Sequence, residues 1–569
     1  MSVPTRTDRD QEAARPHALS QTEPVRPRVV RRAFSVTGVA VAVGFFCLSL
    51  TPSLLPRAWF LQGVVSGLTA AMGYGVGATI GAAARRLFPG RAPAGTVAAW
   101  RAVVVTSPAF AGLSLSMSTR WQRDLRRRLG MEPLDTYYLF RMVLIGLLTF
   151  AVLLLIARTL RLAARGLALL LRRFTPEPIA YCAGVVVVAL LAVLALDNLV
   201  VSNMFALADR KAALRNDGTD SGVVPPTSSL RSGGPFSHAA WDTLGRQGRD
   251  FVGRGPNRQQ LAAFAGRPAI EPIRVYAGLD SAPTVADRVR LVLKEMDRTG
   301  AFHRAVVAVV IPTGTGWVDG AVTNSLEYMY AGNTAMVSMQ YSYLPSWISF
   351  LADTSKVIDA SAQLITAVHD RWAAMPAAKR PKLLLFGESL GSLGTEKVFG
   401  TVDRMVAGAD GVLLEGPTFA NPLRNQIVGD RDPASPVWDP AYRDRPIEFA
   451  AQPAELRSPS WPAPKVVYLQ NSSDPIVWWS PDLLFRSPAW LRAPRGPDVN
   501  PDMHWYPGIT FWQTTVDAVF ANDVPRGHGH VYRSGVVDGW AAVAPPPGWT
   551  VADTVRLRAV LDGGSAPQK

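Results

Sequence analysis

Lys382-Leu-Leu-Leu-Phe-Gly-Glu-Ser-Leu-Gly-Ser392 is the stretch whose reading decides the fold. Four apolar residues, 383–386, run directly into Gly387-Glu388-Ser389-Leu390-Gly391, and a helical pattern follows through Leu393, Lys397 and Val398. A buried strand that turns sharply into a helix, with Gly-x-Ser-x-Gly at the turn, is a nucleophile elbow. The turn predicts a strained backbone at Ser389. Glycines flank it because a β-carbon at either position would strike the crossing strand and helix. Ser389 then stands above the sheet, at the start of a helix whose amides can stabilise an oxyanion.

Outward from the elbow, short β-branched runs at 273–276, 306–311, 336–341, 411–414 and 466–469 alternate with helical patterns such as 285–296 and 356–372. This alternation predicts an α/β domain over residues 272–563, with a mostly parallel sheet covered by helices on both faces.

A serine hydroxyl needs a neighbouring base, itself oriented by a carboxylate. Along chains with this elbow the order is Ser, acid, His. Of seven histidines only His504, His528 and His530 follow Ser389. His528 and His530 share the glycine-flanked loop Val524-Pro-Arg-Gly-His-Gly-His-Val-Tyr532. Spacing does not separate them; His530 is chosen as the base because a regular element beginning at Val531 could fix its ring, with His528 as the alternative. For the acid, Asp474 in Gln470-Asn-Ser-Ser-Asp-Pro475 follows the strand expected next but one to the elbow, although Asp before Pro also forms turns. Glu415, ending the run before Gly416-Pro417, is the rival acid.

Two backbone donors are expected for the oxyanion. One is the amide of Leu390; the other comes from the loop Pro312-Thr-Gly-Thr-Gly-Trp317, through Thr313 or Gly314. That loop lacks the Gly-Lys-Ser/Thr of a phosphate loop. Trp317, Trp347, Trp478 and Trp479 crowd the same strand ends and are candidates to line an acyl pocket or meet a bilayer surface. No His, Cys and carboxylate spacing suggests a metal, and no cofactor is implied.

The N-terminal third is of another kind. Residues 1–203 hold 23 Arg, no Lys and nine acids, whereas the remainder holds 36 basic and 35 acidic residues. Nearly all of the net charge of +15 therefore flanks apolar runs. That fits membrane flanks rather than a nucleic-acid surface. Residues 1–32 read as a disordered basic tail. Residues 33–203 read as a transmembrane domain of about five spans, at 33–55, 59–84, 102–118, 137–156 and 179–201. The span at 102–118, which contains Pro108, decides sidedness. With five spans the C-terminal domain is extracytoplasmic; with four, two Arg-rich loops exchange sides. Residues 204–271, rich in Gly, Pro and Ser, read as a linker with short helices. The two cysteines, Cys47 and Cys182, exclude a disulfide framework.

The elbow, the Asp474-Pro475 loop and the Gly527-His-Gly-His530 loop behind a multi-span N-terminus resemble bacterial membrane-bound α/β-hydrolases, which join an N-terminal transmembrane domain to a C-terminal catalytic domain. The resemblance implies a Ser, Asp and His triad in a multi-pass protein of the bacterial inner membrane, and names no substrate or protein partner. One departure is the gap of over fifty residues between Asp474 and the histidines. The expected function is a membrane-anchored serine hydrolase acting on a lipid or other acyl ester. Acyl transfer by the same triad, and a non-catalytic scaffold or transport component, are the alternatives.

Overall fold

A computed structural model describes residues 34–88, 96–135, 137–195, 213–344, 349, 354–442, 446–450, 456, 465–533 and 535–563. Among the described residues the first five helices are α1 (Val36–Ser49), α2 (Trp59–Leu87), α3 (Thr96–Arg128), α4 (Tyr138–Leu171) and α5 (Glu177–Ala195). The last four are each long and apolar enough to cross a membrane. Helix α1, at 14 residues, spans only about 21 Å, short of a hydrocarbon core of about 30 Å. The apolar run predicted over 33–55 is therefore helical only in part. Pro52 cannot continue the helix, and Leu54 and Leu55 instead enter a buried turn. The 102–118 run lies inside the single continuous helix α3, which accommodates Pro108.

Small residues set the packing here. A β-carbon on Gly63 or Gly67 of α2 would abut the α4 carbonyls of Met142 and Gly146, and one on Gly73 or Gly77 would abut the α1 carbonyls of Val41 and Thr37. Close approach of this kind replaces the hydrophobic driving force that lipid does not supply.

The C-terminal domain is built on seven strands: β1 (Ile273–Ala277), β2 (Val306–Ile311), β3 (Thr334–Met339), β4 (Lys382–Glu388), β5 (Gly411–Glu415), β6 (Ile447–Ala450) and β7 (Val466–Leu469). They run in the order β1-β3-β2-β4-β5-β7-β6, and every pairing is parallel. Side chains alternate between two cores. Val307, Val309 and Ile311 face one, with α6 (Val285–Thr299), α8 (Ser355–Ala373) and α9 (Leu390–Phe399); Val306, Ala308 and Val310 face the other, with α7 (Gly320–Met329) and α11 (Gly535–Val543). Burial on both faces explains why the strands read as continuous apolar runs.

Residues 213–271 pack onto this domain. Arg249 donates to the carbonyls of Asn216 and Gly218, and the Ser232 hydroxyl accepts from the Tyr276 amide on β1. Between Asp474 and the histidine loop lies an insertion whose main helix, α10 (Ile509–Val519), docks on the N-terminal helices. This insertion fills the long gap noted in the sequence.

Candidate active site

Ser389 lies at the joint between β4 and α9 with φ 55° and ψ −117°, left-handed backbone that a non-glycine residue rarely adopts. A β-carbon on Gly391 would run into the Ile311 carbonyl of β2, and one on Gly387 into the Gly391 carbonyl. The Ser389 amide donates to the Glu415 carbonyl at 2.9 Å, which fixes the turn to the end of β5. The side chain is 4 % exposed and lines a cavity of about 680 Å³, within the usual size range of ligand sites.

His530 lines the same cavity. Its Nδ1 lies 2.7 Å from Asp474 Oδ2, and the fully buried carboxylate also accepts from the Tyr532 hydroxyl at 2.7 Å and from the Ile476 amide at 2.8 Å. With Nδ1–H donated to Asp474, Nε2 is left as the basic nitrogen. The ring rests on Gly416, where a β-carbon would collide with Cε1. Gly416 directly follows Glu415, so the imidazole and Ser389 meet the same corner of β5. Burial pulls the His530 pKa down, but the Asp474 charge and hydrogen bond, with Glu388 beyond them, raise it overall above the ordinary imidazole value.

His528 is bound elsewhere. Its Nδ1 lies 2.9 Å from Asp498 Oδ2, which also accepts from the Ser473 hydroxyl, and that hydroxyl accepts from the Gly529 amide. His528 is not among the cavity-lining residues. The two histidines two residues apart therefore have separate acids, and the His528 pair pins the loop that carries His530.

Glu415 lines the cavity but has no hydrogen bond to His530; its Oε2 is unpartnered. Glu415 and Glu388 are register partners on adjacent strands, and Asp319, the N-cap of α7, lines the cavity with them. Burial first, then the negative charge of Asp319, pushes Glu388 up to about 8, with His530 opposing. Burial, followed by the charges of Glu388, Asp319 and Asp474, lifts Glu415 well above the carboxylate range. Burial and mutual repulsion thus hold both carboxyls toward their neutral forms.

Among the expected oxyanion donors, Leu390 lines the cavity at the first position of α9, where an amide has no partner within its own helix. Thr313 also lines it, but its amide donates to the Trp317 carbonyl at 3.0 Å and is already committed. Gly314 is not among the lining residues. Trp317 and Trp479 line the cavity; Trp479 stacks edge-on to Phe419 at 4.9 Å and donates to Thr515 of α10. Trp478 does not reach it. Its ring is buried beneath, with Nε1 donating to the Asn471 carbonyl, because the turn at Pro475 sends successive side chains to opposite sides. Trp347 lies outside the described residues. Among the described residues no cluster of three or more His, Cys, Asp or Glu side chains is arranged to hold a metal.

Residues 273–557 match a family described as an alpha/beta-hydrolase family, and residues 50–256 match the N-terminus of an alpha/beta-hydrolase family. The chain belongs to this alpha/beta-hydrolase family. No curated protein and no solved structure matches it. The two matches together take in α2 to α5 and the sheet, so the pairing of a helical domain with a hydrolase domain is the family's own architecture. Tyr532 and Asp319 do not stand out as site residues in the sequence; it is the fold that brings Tyr532 onto the same Asp474 carboxylate as His530.

Proposed function

We propose that this chain is a multi-pass membrane serine hydrolase that cleaves acyl esters. The observation that carries the reading is the strained Ser389 sharing one cavity with an imidazole hydrogen-bonded to a buried aspartate. Ser389 Oγ attacks the ester carbonyl while His530 Nε2 takes its proton; Asp474 holds the ring and stabilises the imidazolium. The Leu390 amide faces the oxyanion as it forms. Collapse of the intermediate breaks the carbonyl–alkoxide bond, and His530 returns the proton to the leaving alcohol. Water, deprotonated by the same imidazole, then releases the acid and restores the serine. Glu388 and Glu415, held toward their neutral forms, suit such a site, since two further negative charges would oppose the oxyanion. Four helices long and apolar enough to cross a membrane support a lipid ester as the substrate.

The test is the time course of p-nitrophenyl butyrate cleavage by the full-length protein in detergent. A burst of nitrophenol matched to the enzyme concentration, lost in Ser389→Ala, is expected. Turnover that persists undiminished in Ser389→Ala would refute the reading.

A further inference from the structure

Helix α10 has two working faces. Thr515, Ala518 and Val519 line the active-site cavity. Its other side meets the helical domain: the Gln513 amide donates to the Ser49 and Thr51 carbonyls, and Asp517 is bound to Arg57, Ser53 and the amides of Leu54 and Leu55. The wall of the hydrolase site is thus also the floor on which the N-terminal helices sit.

A second, smaller cavity of about 110 Å³ lies in this seam. The helical domain lines it with Leu55, Ala58, Leu61 and Met131, and the hydrolase domain with Val516, Phe520 and Val524. Its charged members are Arg57, Asp517, Arg126 and Asp523; Arg57 and Asp517 are paired with each other, and the Arg126 guanidinium donates to the Glu132 carbonyl. Val524 lines both this cavity and the active-site cavity. At the end of α10, Val519 and Phe520 are 42 % and 37 % exposed, an apolar edge beside helices that themselves carry exposed apolar side chains. The two cavities are separate spaces that meet at Val524, and the occupant this adjacency favours is the hydrocarbon chain of an ester whose carbonyl sits at Ser389. A room of this size holds about the volume of four waters, too little for a separate ligand and enough for the end of a chain.

We infer that the seam between the helical and hydrolase domains is the acyl-chain site of the substrate, so that residues of α2 help select chain length. The inference rests on the serine-hydrolase reading above. It gives the helical domain a share in substrate recognition beyond holding the enzyme at a membrane, and it points to long-chain acyl esters drawn from the lipid phase as the substrate class.

The test compares p-nitrophenyl butyrate and p-nitrophenyl laurate with the full-length protein in detergent. Leu61→Trp, on α2, and Val516→Trp, on α10, each fill the seam. In both, the laurate-to-butyrate ratio of kcat/KM should fall by about tenfold or more, through a raised KM for laurate. Phe520→Ala, which enlarges the seam, should move the ratio the other way. A merely structural defect would lower both esters together and leave the ratio alone. Fluorophosphonate labelling of each variant separates the two ideas. If the parent protein is not labelled, the hydrolase reading fails; if all variants are labelled and the ratio does not move in any of them, the hydrolase stands and the acyl seam is wrong.

Discussion

Arg57 Nε lies 2.7 Å from Asp517 Oδ1, and the two side chains, from opposite domains, are 2 % and 0 % exposed. Asp517 is further saturated by the Ser53 hydroxyl and two backbone amides, while Arg57 also donates to Gln62. Removing one partner of a buried pair leaves the other charge uncompensated, at a cost of about 3–5 kcal/mol. Asp517→Ala should therefore lower the thermal midpoint of the full chain in detergent markedly. A midpoint unchanged within error would mean the domains are not held together here.

The two histidines should behave very differently despite lying in one tripeptide. His530→Ala should reduce kcat by about four orders of magnitude, since it removes the base. His528→Ala loses only the bond to Asp498 and should cost about tenfold or less. Ester turnover with the opposite order would transfer the base role to His528.

Gly416 offers a way to disturb the His530 ring without altering Ser389, His530 or Asp474. Its φ is +53°, and a β-carbon there would collide with the His530 ring. Gly416→Ala should displace the imidazole from its place beside Asp474 in the cavity and lower kcat by about a hundredfold while the yield of folded protein is kept. Turnover within about twofold of the parent would show that the ring has room to spare.

Glu388 makes stability depend on pH. Its folded pKa, about 8, lies above the usual value of about 4.3 for an unfolded glutamate. A raised carboxyl gives its full stabilisation below the unfolded value and loses it as pH rises through the folded one. The loss accordingly falls between about pH 4 and 8. Glu388→Gln has no such titration, so its thermal midpoint should gain on that of the parent as pH is raised from 5 to 8.5. Parallel midpoint curves would show that Glu388 is not buried in its neutral form.

Much of the C-terminal domain was legible because its information is local. The runs at 306–311 and 383–386 sit on strands buried on both faces, and Gly387 and Gly391 announce a turn that only glycine allows. Strand β6 was missed because four residues after Pro446 carry little pattern. The choice between His528 and His530 depended on which acid folds back onto each ring, and Asp498 and Asp474 are 30 and 56 residues away from their partners. The seam at α10 was hidden for the same reason: Asp517 looks like a surface acid in its own helix, and its partner lies 460 residues earlier. In the helical domain apolar length was readable, whereas the early end of α1 came from Pro52 and the docking of the turn that follows.

The most direct test of the central claim is mass spectrometry of the full-length protein after reaction with an alkyl fluorophosphonate. A single phosphonyl adduct, formed with loss of fluoride, is expected, and fragmentation should place it on Ser389 rather than Ser392; Ser389→Ala should carry none. An adduct on another serine, or equal labelling of Ser389→Ala, would contradict it.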